Sequence, residues 1–178
     1  MKLNITEEKK YIFLSLLFAL SIGQFTFFEE NHVNSLRSLA NNDYLKLNKD
    51  WLANQIDHTP LFTFISTYII KYTSLLGLNI LHIILSSICS ISIFYICKIN
   101  FSNNDLKRIV FFWFLILLLL FKEKSFAYGI AGQYILNPAY QPSTFGVLII
   151  SSLAFFAYRR ETLAIILVIL SASIHPTY

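Results

Sequence analysis

LNILHIILSSICSISIFYIC, residues 78–97, runs for twenty positions without an Asp, Glu, Lys or Arg. A helix crossing the hydrocarbon core of a bilayer needs about 20 mostly apolar residues. This stretch therefore reads as a transmembrane helix and decides the class of the chain. The rest of the sequence agrees: 56% of the 178 residues are hydrophobic and 13% are charged. Soluble domains carry about 25% charged residues, and a globule this poor in charge would lack the groups to cover its surface.

Working outward, residues 11–28 form a second uncharged run, preceded by Lys9-Lys10. A basic start followed by apolar residues also describes a signal peptide. Here the run is long, and Phe27-Phe28-Glu29-Glu30 follows it instead of a small-residue cleavage site. Shorter apolar runs occupy 109–121, 144–158 and 163–174. Lys122, Arg159 and Arg160 flank them and can lengthen the usable helices by snorkelling. The expectation is an all-α, multi-pass transmembrane protein with about five spans in a single domain, at 11–28, 78–97, 109–121, 144–158 and 163–174.

Residues 61–76 behave differently. Thr63, Ser66, Thr67, Lys71 and Ser74 recur at spacings of three and four, which gathers them on one helical face. That pattern predicts a helix lying in the interface. The positive-inside rule tests the choice. With this segment on the surface, Lys2, Lys9, Lys10, Lys98, Lys107, Arg108, Arg159 and Arg160 face inward. Arg37, Lys46, Lys49, Lys122 and Lys124 face outward, with Lys71 set aside. If the segment crosses, the bias reverses. The expected orientation is N-terminus inside and C-terminus outside, with 29–60, 123–143 and 175–178 on the non-cytoplasmic side. The sequons at Asn4-Ile5-Thr6 and Asn100-Phe101-Ser102 then fall on the cytoplasmic side, away from glycosylation.

The net charge of +4 is spread between apolar runs, which excludes the basic stripe of a nucleic-acid binder. Cys89 and Cys97 sit within one apolar run and read as small packing residues; they form no metal-site pattern and say nothing about disulfides. His82, inside the main span, is a functional candidate as an intramembrane ionisable residue, but reads first as a neutral residue packed against Asn79, Ser86 or another helix. The breaker-rich second outer loop, with Gly129, Gly132, Pro138 and Pro142, either lines a cavity or forms a packed cap.

The first outer loop is the richest in chemistry. Residues 29–62 read EENHVNSLRSLANNDYLKLNKDWLANQIDHTPLF, and five of the ten acidic residues lie between Phe28 and Leu61. Val33, Leu36, Leu39 and Ala40 make an apolar stripe at helical spacing. Asp50 stands where an N-cap would precede Trp51-Leu52, and Asp57-His58-Thr59-Pro60 reads as a turn. Short helices lying on the membrane are the expectation over 29–76. Glu29, His32, Asp57 and His58 lack the tight spacing of a metal site, so no metal and no cofactor is expected.

Glu29-Glu30, then Asn48-Lys49-Asp50-Trp51-Leu52, then Thr59-Pro60-Leu61-Phe62 follow a first apolar run in order. This arrangement resembles the GT-C class of multi-pass glycosyltransferases, in particular the protein O-mannosyltransferase and aminoarabinose-transferase branch. Glu29, Asn31 and His32, with His175-Pro176-Thr177 later, also resemble motifs of uncharacterised GT-C-like bacterial membrane proteins. The resemblance covers about the first hundred residues by motif and the remainder by topology. Where the family usually has Asp-Glu, this chain has Glu-Glu, which leaves open which glutamate corresponds to which.

The resemblance implies a polyprenyl-phosphate-linked sugar as donor and transfer to an acceptor hydroxyl on the non-cytoplasmic face, with a bacterial cytoplasmic membrane as the setting. Glu29 or Glu30 would act as general base, and Arg37, Lys71, His32, His58 and His175, with Asp50 and Asp57, would contact substrate. Plainer roles stand beside these: Glu29 and Glu30 ending a helix among headgroups, Asp50 as a cap, and His175 as a helix terminator before Pro176. Enzymes of this class are longer, so the 178 residues read as an N-terminal part that would be inactive alone. The alternative is a non-enzymatic transporter, lipid-binding or assembly subunit, for which ionisable residues at mid-membrane would be the mark.

Overall fold

Residues 78–97 occupy the second half of a 41-residue helix, α3, Pro60–Asn100. The computed structural model describes residues 5–22, 29–51, 53–101, 105–120 and 140–175. Around α3 lie α1 (Ile5–Ile22), α2 (Glu29–Ala40), α4 (Asp105–Leu120), α5 (Val147–Ala157) and α6 (Glu161–Ile174). Two 3-10 helices, Tyr44–Lys49 and Pro142–Gly146, complete the described elements. The regular elements are helical throughout, and α3 touches each of the other five α-helices.

The expectation of about five membrane-crossing helices is overturned. Among the described residues, one helix, Pro60–Asn100, is long and apolar enough to cross a membrane. At 1.5 Å per residue, the 11 residues of α5 and 14 of α6 give about 17 and 21 Å. Each falls short of a hydrocarbon core about 30 Å thick. The 18-residue α1 has the length, but Glu7, Glu8, Lys9 and Lys10 occupy its first turns. The apolar runs marked helices correctly, whereas their lengths did not make spans. Residues 23–28 of the first run and 121–139 lie outside the described residues.

Residues 61–76, expected as a helix distinct from the span, form the first part of α3, and most of them are set apart from residues 75–100 by a break. Pro60 opens α3 at a position where its missing N–H costs nothing. The helix is nevertheless interrupted at Ser74, whose φ of 65° and ψ of −170° are non-helical. That region of backbone space is essentially reserved for glycine and costs a serine about 1–3 kcal/mol. Straight, α3 would be about 61 Å long, while residues 75–100 alone give about 39 Å, a length suited to one tilted crossing.

Small side chains line the buried face of α3 and let its neighbours approach closely. Ser86, Ser90, Cys89 and Cys97 are buried there, and both thiols are free. The Ser92 and Ser151 hydroxyls meet at 2.9 Å between α3 and α5. Tyr11 of α1 stacks on Phe94 with ring centroids 4.1 Å apart, and Tyr95 meets Tyr158 edge-on at 5.7 Å. Arg108 donates to the Phe101 carbonyl at 3.2 Å. These contacts bring the start of α1, the end of α3, the start of α4 and the α5–α6 turn together. Lys9, Lys10, Lys98, Lys107, Arg108, Arg159 and Arg160 all belong to this end.

The opposite end of α3 is held by aromatic rings. Phe62, fully buried, stacks on Tyr140 at 5.1 Å and meets Phe145 edge-on at 6.4 Å. Ser171 of α6 donates to the Phe145 carbonyl at 3.1 Å. Of residues 123–143, the described part from Tyr140 to Ser143 is buried and packs as a cap.

Candidate functional site

The stripe of Val33, Leu36, Leu39 and Ala40 does form a helix, α2, with Leu39 and Ala40 buried. Ser38 donates to the Thr63 carbonyl at 3.2 Å, and Asn42 donates to the Thr67 carbonyl at 3.1 Å. These bonds fix α2 against the first turns of α3. At the end of the connecting segment, the Asp57 carboxylate accepts the Thr59 N–H at 2.9 Å, which sets the turn that Pro60 follows.

A cleft of about 600 Å³ opens between α2, the 48–57 segment and the first two turns of α3. Arg37 and Asp57 both line it. Arg37 donates through Nε to the Ala53 carbonyl at 3.0 Å, while its Nη1 stands 3.9 Å from Asp57 Oδ2. A pair at that distance and partial exposure contributes little stability, about 0.2–1 kcal/mol, so its guanidinium is available to another anion. Asn41, Asn48, Asn54 and Gln55 add amides to the walls, and the exposed rings of Phe64 and Tyr68 add aromatic faces. Asn54 is held in place by its bonds to the Asn48 and Asp50 carbonyls, at 2.9 and 2.8 Å. Amides and a carboxylate match hydroxyl groups, ring faces suit the apolar side of a sugar, and a guanidinium fork suits phosphate.

The other residues singled out from sequence are placed as follows. Glu29, Glu30 and His32 fall in the first turn of α2, and their side chains lie outside the described part; Glu30 stands seven residues before Arg37, in the same register on the helix. Asp50 follows the Tyr44–Lys49 helix as its C-cap, not as the N-cap of a new one, and its carbonyl receives Asn54. His58 is exposed beside Asp57 without lining the cleft. Lys71 is exposed one turn past Thr67, its Nζ 5.7 Å from the centre of the Tyr72 ring. His175 closes α6 and is buried, and desolvation holds its imidazole below the ordinary histidine range.

Arg37 and Asp57 are thus brought together, while Asp50, His58, Lys71 and His175 stand outside the cleft lining. The amides and the two rings were not singled out from sequence. Their signal was the density of asparagine, six between residues 31 and 54. No group of three or more His, Cys, Asp or Glu among the described residues is placed to hold a metal ion.

Fold and cleft together define an all-helical chain built on one long apolar helix that carries a polar cleft at its N-terminal end. No protein-family model, no curated protein and no solved structure matches it.

Proposed function

We propose that the chain is held in a membrane by α3 and forms part of a GT-C-like glycosyltransferase. In this reading the α2–α3 cleft binds a polyprenyl-phosphate-linked sugar at the non-cytoplasmic face. The observation that carries it is the convergence of Arg37, Asp57, three asparagines and two aromatic rings on one cleft at the end of the apolar helix. Apolar side chains exposed on α1, α3, α5 and α6, among them Phe13, Ile84, Phe156 and Ile169, support a lipid setting. The basic residues gathered at the far end of α3 support placing that end in the cytoplasm. That placement would turn the cleft to the non-cytoplasmic face, and a bacterial cytoplasmic membrane is the setting the resemblance implies.

In the proposed reaction, Glu29 or Glu30 takes the proton of the acceptor hydroxyl. The acceptor oxygen forms a bond to the anomeric carbon as the bond from that carbon to the phosphate oxygen breaks. The polyprenyl phosphate leaves with the electron pair, and Arg37 meets its growing charge. A general base contributes about 10²–10⁴-fold.

The test is sugar transfer in membranes containing the full-length protein, with polyprenyl-phosphate-mannose and polyprenyl-phosphate-aminoarabinose as donors. Either Glu29→Gln or Glu30→Gln is expected to abolish transfer while expression and membrane insertion persist. Full activity in both variants would refute the assignment of the base. Donor binding without transfer would favour a lipid-binding subunit.

A further inference from the structure

A second cavity, a groove of about 660 Å³ between α3, α5 and α6, lies toward the basic end of the molecule. Its size is that of a small-ligand site, about 300–1,000 Å³. On α3 it is lined at 88, 91, 92 and 95, one continuous helical face. Leu148 and Ala154 of α5 and Leu167 of α6 form the facing wall. The body of the groove is therefore hydrocarbon in character, and lies against the part of α3 able to cross a membrane.

One end of the groove is chemically different. Tyr95, Tyr158 and Arg160 line it there, and the Lys98 ammonium stands 5.7 Å from the centre of the Tyr95 ring. Tyrosines concentrate at the headgroup level of bilayers. Arg160 is exposed, and directly precedes α6, whose first turn no side chain caps. Backbone N–H groups at such an end favour an anion. Glu161, in that first turn, is the one acid there and is exposed.

An apolar groove with a cation, Arg160, at one end is complementary to an amphiphile with an anionic head. We propose that this groove binds an anionic phospholipid, one acyl chain lying between α3 and α5 and the phosphate meeting Arg160 and the start of α6. The site is separate from the α2–α3 cleft. It rests on the reading that the chain lives in a membrane, though not on the transferase assignment.

The test is native mass spectrometry of the protein in mild detergent, with phosphatidylglycerol and phosphatidylcholine of identical acyl chains. Phosphatidylglycerol is expected to be retained in preference. Arg160→Gln should weaken its binding about fivefold, the effect of one cation at an anionic membrane surface, and leave phosphatidylcholine unchanged. Arg160→Lys should keep most of the preference, and Leu148→Trp, which fills the groove, should lower retention of both lipids.

Equal retention of the two lipids, no effect of Arg160→Gln, or displacement of the lipid by inorganic phosphate alone would overturn the proposal. Alkaline extraction of the membranes separates the two levels. Release of the chain would remove the membrane reading and this site with it. Retention without a lipid preference would remove only the site.

Discussion

A substitution at Gly77 distinguishes a bent α3 from a straight one, because alanine there has opposite effects in the two cases. In an uninterrupted helix, replacing glycine by alanine stabilises by about 1 kcal/mol. In the bent helix a Cβ at position 77 would overlap Thr73 Oγ1 and come within 2.7 Å of Ile69 Cγ2 and 2.9 Å of Thr73 Cβ. Thr73 is β-branched, and its hydroxyl is tied to the Ile69 carbonyl at 2.7 Å, so it yields poorly. Overpacking of this kind costs about 1–3 kcal/mol.

Gly77→Ala is therefore expected to destabilise, measured by loss of helical circular dichroism as sodium dodecyl sulfate is titrated into mixed micelles. Thr73→Ala alone touches an exposed side chain and should change stability by less than about 0.5 kcal/mol. In the double variant it should recover part of the loss, since Oγ1 is gone while Ile69 Cγ2 remains, which gives a measurable coupling between neighbours. A stabilised Gly77→Ala variant, with no coupling to Thr73, would show that α3 runs straight through Ser74 and would refute the bend.

Arg37→Ala removes a charged hydrogen bond to the Ala53 carbonyl and a weak ion pair to Asp57. It should cost about 1–2 kcal/mol in the same titration and lower donor binding in the transfer assay. Burial raises the Tyr140 phenol pKa, opposed in part by its bond to Ser66 at 3.4 Å. The folded protein thus keeps a proton that the unfolded chain releases near pH 10, so stability should fall above that pH, and Tyr140→Phe should flatten the fall. Burial lowers the pKa of His175. Stability it contributes is present above the unfolded value near 6.5 and is lost as pH falls through the folded one. A stability–pH profile of His175→Gln should lack that loss.

Helix positions were legible because apolar runs and the α2 stripe are periodic, and burial follows period. The number of crossings was not, since an apolar run reports composition and a crossing requires length. Residues 144–158 illustrate the difference: Pro142 at the start of a 3-10 helix leaves only Val147–Ala157 as α-helix. The bend at Ser74 was half-legible. The polar face of 61–76 marked a change of surroundings, but the bonds from Ser38 and Asn42 to the Thr63 and Thr67 carbonyls join residues far apart in the chain. In the cleft, Arg37 and Asp57 stood out by charge. The amides of Asn41, Asn48 and Asn54 carry no charge and no spacing rule, so only folding shows that they face one space.

The claim that α3 crosses a membrane with the cleft outside is tested most directly by labelling single cysteines with a membrane-impermeant maleimide on intact cells. Trp51 lies beside the cleft and is 74% exposed, Arg159 is exposed at the basic end, and the native Cys89 and Cys97 are buried. Trp51→Cys should label on intact cells, and Arg159→Cys only after permeabilisation. Labelling of Arg159→Cys on intact cells, or equal labelling of the two positions, would contradict it.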